Sequence, residues 1–122
     1  MTSTTKWLAG LNGLLGLWLI AAPFVLGVQG TPLWNAVIVG ALIAIVGGYN
    51  FYRTTQDEEV NLGAAALNAL LGLWVIAAPF VFGVGTTVMW NDVIVGGLVT
   101  IFAGYNAYVA NEAKSSAGSP AA

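Results

Sequence analysis

The chain of 122 residues contains no cysteine and no histidine, and only 3 basic and 5 acidic residues. The missing cysteines remove disulfides, thiolate metal sites and cysteine nucleophiles. With histidine gone as well, general acid–base work would fall to loop carboxylates, and the usual metal and nucleophile constellations are missing. The expectation is a chain that is not an enzyme and needs no cofactor. A net charge of −2 leaves no basic surface to neutralise phosphates, so nucleic acid is not an expected partner. Charged residues make up 7% of the chain, against about 25% in an ordinary soluble domain, and a water-exposed surface cannot be built from so few.

What the chain does contain is 58% hydrophobic residues, arranged in long apolar runs and in two copies. Pro23 and Pro79 stand 56 residues apart, and the same offset pairs Asn12 with Asn68, Trp18 with Trp74, and Trp34-Asn35 with Trp90-Asn91. It also pairs Gly40 with Gly96 and Tyr49-Asn50 with Tyr105-Asn106. A fixed period of this kind makes each copy one supersecondary unit. The predicted organisation is one membrane domain: repeat 1 at about 7–52, a loop at 53–61, repeat 2 at about 62–108 and a polar tail at 111–122.

Apolar helices are predicted at Lys6 to Leu26, Asn35 to Tyr52, Leu62 to Phe82 and Asn91 to Ala110. At about 1.5 Å per residue each is roughly 27 to 31 Å long, which matches a hydrocarbon core of about 30 Å. Helices satisfy their own backbone groups in lipid, so the fold class is all-α, with four transmembrane helices in two tandem hairpins. Two spans per copy imply parallel repeats, related by a pseudo-two-fold axis along the membrane normal. The first run, with Lys6 before it and Ala21-Ala22 within it, has the look of a signal peptide, but its internal copy at Leu62 to Phe82 argues for a span.

Lys6, Arg53 and Lys114 all fall on one side of such a topology, together with Asp57, Glu58, Glu59 and Glu112. The segments Gly27 to Trp34 and Gly83 to Trp90 carry no charge, and Asp92 is the only charge near that side. The positive-inside rule therefore places both termini in the cytoplasm. Trp34 and Trp90, each before an asparagine suited to cap a helix, and Tyr49, Tyr52, Tyr105 and Tyr108 at the opposite boundary form the expected interfacial belt. Trp18 and Trp74 lie within spans, where an indole N–H needs a partner, and a packing role is expected of them. The acidic triplet before Asn61 favours the N-terminus of the third helix through its dipole.

Lipid supplies no hydrophobic force between helices, so close approach of small residues must hold them together. The even spans carry Gly40, Ala44 and Gly48, repeated as Gly96, Thr100 and Gly104. On the odd spans Ala9, Gly13 and Gly16 correspond to Ala65, Ala69 and Gly72, again on one helix face. Pro23 and Pro79 lack an N–H and are expected to kink the odd helices, freeing the carbonyls of Leu19 and Val75, with Phe24 and Phe80 closing over the short loops. Asn12, Asn50, Asn68 and Asn106 are the internal polar groups, expected to hydrogen-bond one another across helices or to line a shallow vestibule.

The two-helix unit, with a proline in its first helix and Trp-Asn opening its second, resembles the SPW repeat, a family of small prokaryotic integral membrane proteins. The resemblance runs from Trp7 to Tyr108 in two copies. The name-giving Ser-Pro-Trp is replaced here by Ala22-Pro23-Phe24 and Ala78-Pro79-Phe80, which keep only the proline. The resemblance implies a prokaryotic cell membrane and a duplicated hairpin, and no reaction, ligand or catalytic residue. The expected function is that of a structural or accessory membrane protein, surrounded by lipid and packing against itself or a larger membrane complex. The alternative is a passive channel or small-solute transporter formed by an oligomer.

Overall fold

The computed structural model describes residues 3–117, with side chains described as far as Ala113. Four helices follow in order: α1 (Ser3–Leu26), α2 (Gly30–Thr55), α3 (Leu62–Phe82) and α4 (Thr86–Ala117). Each includes a stretch long and apolar enough to cross a membrane, and there is no strand among the described residues. The chain is thus an all-helical integral membrane protein.

The odd helices lie close to their expected bounds, but the even ones start five residues early. Trp34-Asn35 and Trp90-Asn91 therefore sit inside α2 and α4, and neither asparagine is an N-cap. Two local causes shorten the turn before α2. Gly27 and Gly30 adopt left-handed φ values of 74° and 70°, which reverse the chain in a few residues, and Pro32 falls in the first helical turn, where its missing N–H costs nothing. The turn before α4 is made by Gly83, a left-handed C-cap at φ 66° whose N–H donates to the Pro79 carbonyl at 3.0 Å. A helix beginning early also satisfies backbone groups that a loop at membrane depth would leave bare. At its other end α4 continues past the expected Ala110 to Ala117, so the start of the polar tail is helical. Residues 118–122 and the side chain of Lys114 lie outside the described residues.

Neighbouring helices run antiparallel. α1 packs along α2 and α3 along α4, while α1 with α4 and α2 with α3 make smaller contacts, and among the described residues the backbones of the diagonal pairs do not approach closely. The turns α1–α2 and α3–α4 share one end of the bundle with the prolines, here the proline end. The opposite, terminal end carries Lys6, Arg53 and the α2–α3 loop.

Glycine sets the spacing within each hairpin. A Cβ added to Gly16 would collide with the backbone of Ala44 and Gly40, and one on Gly40 would lie 2.8 Å from the Gly16 carbonyl oxygen. Gly72 and Gly96 repeat the arrangement in the second hairpin, with Thr100 in the place of Ala44. The stripe then departs from the four-residue spacing expected of it. Gly48 and Gly104 have nothing within 4 Å of a built Cβ, and Gly47, against Ala9, Asn12 and Gly13, and the buried Ala103 occupy that level instead. The reason is the helical period: seven residues make nearly two turns and return to the same face, whereas eight overshoot it. Between the hairpins, Leu19, Val39, Ile43, Val75, Val95 and Val99 fill the middle of the bundle, Ile43 and Val99 at 0% exposure.

Candidate functional site at the proline end

The internal asparagines occupy the terminal half of the bundle and are all buried. Asn12 donates from Nδ2 to the Val99 carbonyl at 3.4 Å, and Asn68 donates to the Ile43 carbonyl at the same distance. Asn50 accepts from the Asn61 N–H at 2.8 Å, which ties the α2–α3 loop to the bundle, and Asn61 in turn caps α3 by accepting from the Ala64 N–H at 2.9 Å. The expected asparagine-to-asparagine bonds are absent among these four residues; the amides of Asn12, Asn50 and Asn68 reach backbone groups of the adjacent helix or loop instead. The Oδ1 atoms of Asn12, Asn68 and Asn106 are buried without a partner. A solvated vestibule is excluded by that burial. Beside this end Arg53 pairs with Glu58 at 3.0 Å and donates from Nε to the Glu59 carbonyl at 2.8 Å, so Arg53 ties the loop to the end of α2.

At the proline end the two hairpins are joined through their tryptophans. Trp18 Nε1 donates to Asn91 Oδ1 at 2.8 Å, and Trp74 Nε1 donates to Asn35 Oδ1, also at 2.8 Å. The asparagines expected to cap the even helices are instead the indole partners, one turn inside those helices, and each bond crosses from one repeat to the other. The remaining aromatics of the belt, Trp34, Trp90, Tyr49, Tyr52, Tyr105 and Tyr108, are exposed on the outside of the bundle. Phe24 and Phe80 are exposed as well and do not close over the turns; Leu26 and Phe82 point inward in their stead.

Between the prolines lies a narrow cleft bounded by all four helices. Ala22, Pro23 and Leu26 line it from α1, Ala78, Pro79 and Phe82 from α3, Asn35 and Ala36 from α2, and Asn91 and Asp92 from α4. The cavity measures about 20 Å³, which holds about one water-sized occupant. A second, smaller cavity of about 10 Å³ shares Leu19, Ala36 and Asp92 with it and is also lined by Val39 and Val75. Asp92 accepts from Asn91 Nδ2 at 3.1 Å. Both α1 and α3 remain helical through their prolines, and the proline carbonyls accept from the turns, Val28 N–H to Pro23 at 2.8 Å and Val84 N–H to Pro79 at 3.3 Å.

Asp92 is the residue of this site that the sequence marks only as a charge. A usable signal is present there: at the offset of 56 it faces Ala36, so the duplication is broken in charge at the position following Trp-Asn. No group of three or more His, Cys, Asp or Glu side chains that could hold a metal ion occurs among the described residues.

Residues 6–106 match the family model for the SPW repeat domain. No curated protein and no solved structure matches the chain significantly.

Proposed function

The chain belongs to the SPW repeat family, and from that premise we propose that it is a structural or accessory membrane protein that acts by packing its outer surface against other membrane helices. The observation that carries this reading is the filled middle of the bundle. Six aliphatic side chains from all four helices meet there, and glycine-mediated backbone contact holds each hairpin closely together. Ion conduction needs carbonyl rings, charged rings or a wetted lining, and the aliphatic layer offers none of these. The outside, by contrast, presents Leu, Ile, Val and aromatic side chains along all four helices, as a surface made for lipid and apolar partners does.

Two further features belong to the proposal. The hairpins are related by a pseudo-two-fold axis along the membrane normal; the bonds Asn12 to Val99 and Trp18 to Asn91, repeated at the offset of 56 as Asn68 to Ile43 and Trp74 to Asn35, support it. Both termini face the cytoplasm of a prokaryotic cell, as the placement of Lys6 and Arg53 at the terminal end favours.

Purification from native membranes in mild detergent tests the function. A stoichiometric larger complex is the expected outcome. A pure self-oligomer whose reconstitution gives reproducible unitary currents or saturable solute flux would replace the accessory reading with a pore.

A further inference from the structure

The first hairpin carries an apolar groove of about 450 Å³ on its outer face, between α1 and α2. Gly10, Gly13 and Gly48 give it a low floor, and a Cβ built on Gly48 meets nothing within 4 Å. Trp7 and Phe51 wall its terminal end, with ring centroids 6.3 Å apart, and the exposed leucines of α1 carry it inward as far as Leu17. From Trp7 to Leu17 the helix rises about 15 Å at about 1.5 Å per residue, half of a hydrocarbon core of about 30 Å and so the depth of one leaflet. At the aromatic end Lys6 Nζ lies 5.8 Å from the Trp7 ring centroid and 5.6 Å from that of Phe51. Among the described residues the ion pair at this end is Arg53 with Glu58, and Lys6 has none. A leaflet-deep apolar groove therefore ends, at the membrane boundary, on a cation without an anionic partner.

We propose that this groove binds one acyl chain of an anionic phospholipid, with the lipid phosphate held by Lys6. A concave apolar surface with a single placed polar group suits such an amphiphile, and the two rings hold the lysine at headgroup level, where it attracts an anionic lipid. A zwitterionic lipid brings its own cation close to the phosphate and gains less from Lys6. A second copy of the chain, seated on the same face about a two-fold axis, would bring its own Lys6 towards this one and set like charges together. The duplication is broken at the residues that matter: at the offset of 56, Lys6, Trp7 and Phe51 become Leu62, Gly63 and Ala107. Leu14 and Leu17 are matched by Leu70 and Leu73, so contact with lipid is common to both hairpins, but the cation and its aromatic walls belong to the first alone. The proposal goes beyond the accessory reading, since a bound lipid is compatible with a partnered or a lone bundle.

The test is native mass spectrometry of the detergent-solubilised full chain, titrated with phosphatidylglycerol or with phosphatidylethanolamine of identical acyl chains. The wild type should retain one phosphatidylglycerol several-fold more strongly than phosphatidylethanolamine, and the same lipid should raise its unfolding midpoint with concentration, as a ligand of the native state does. Lys6→Gln should reduce phosphatidylglycerol to the level of phosphatidylethanolamine. Gly48→Leu fills the groove from a position with open space around it, so a folded protein that retains neither lipid is expected. Gly104→Leu, at the matching position of the second hairpin, should retain lipid as the wild type does. Equal retention of the two lipids by the wild type, or phosphatidylglycerol retention that survives Lys6→Gln or Gly48→Leu, would overturn the proposal. So would a dimer that Gly48→Leu dissociates and lipid leaves unchanged, because the groove would then hold a second copy. Lys6→Gln keeps the headgroup contact open to disproof even if Gly48→Leu unfolds.

Discussion

Single atoms decide the closest contacts in this bundle. At Gly16 a methyl group has no room, because the neighbouring atoms are backbone of Ala44 and Gly40 and cannot rotate away. Gly16→Ala and Gly40→Leu should each destabilise the protein in detergent by about 1 to 3 kcal/mol, the usual cost of overpacking a close-packed site. Gly48→Ala should do the opposite, since its Cβ meets open space and a mid-helix glycine is roughly 0.5–1 kcal/mol worse than alanine. Chemical unfolding of the three variants checks both signs, and Leu42→Ile on the lipid-facing surface serves as the neutral control. If Gly16→Ala unfolds like the wild type, the α1–α2 interface is assigned to the wrong face. The tryptophan bonds also belong to this scale. A double-mutant cycle of Trp74→Phe with Asn35→Ala should give a coupling of about 0.6 kcal/mol, the average for interhelical hydrogen bonds in membranes, and a zero coupling would mean that the indole is satisfied elsewhere.

Among elements, the α2–α3 connection depends on a chain of two asparagines, Asn50 to the Asn61 backbone and the Asn61 side chain to the first turn of α3. Replacing an N-cap asparagine by alanine typically costs about 1 kcal/mol, so Asn61→Ala should fray that turn. Hydrogen exchange should then speed up at Ala64 while the amides around Gly72, deep in the packed face, stay protected. Exchange that rises evenly along α3 would show the cap to be coupled to the whole helix. The Arg53 to Glu58 pair at the same loop is partly exposed, and its loss should be worth no more than about 1 kcal/mol. The apolar runs make the helices legible in the sequence, since lipid leaves the backbone no other way to satisfy itself. The N-termini of the even helices are not legible there: the asparagines after Trp34 and Trp90 have the chemistry of a cap, and only the glycine and proline geometry of the turns shows the helices starting earlier.

For the whole molecule, orientation is the feature that one experiment decides. Gln29 and Gln56 are exposed in turns at opposite ends of the bundle, so single cysteines there report opposite sides of the membrane. Gln29→Cys should react with an impermeant thiol reagent added to intact cells, and Gln56→Cys should be protected. The reverse pattern would turn the protein over and place the Asp92 cleft on the cytoplasmic side.

Four apolar helices, their duplication at a fixed offset and the alternation of charged and uncharged connections can all be read from the amino-acid order, because each of these is a local property of the chain. Small residues marked which helix faces could approach closely, yet the spacing could not tell Gly47 from Gly48, which differ by a rotation of one residue. Packing of the four helices fixes that rotation, and with it the partners of Trp18, 73 positions from Asn91, and of Trp74, 39 positions from Asn35. It also brings Asp92, Ala36 and the two prolines to the walls of one cleft. The physical reason is that such contacts depend on how the helices turn about their own axes and stack at one level. In lipid that choice is made by backbone contact and a few hydrogen bonds, since the hydropathy that reveals each span is nearly uniform around it.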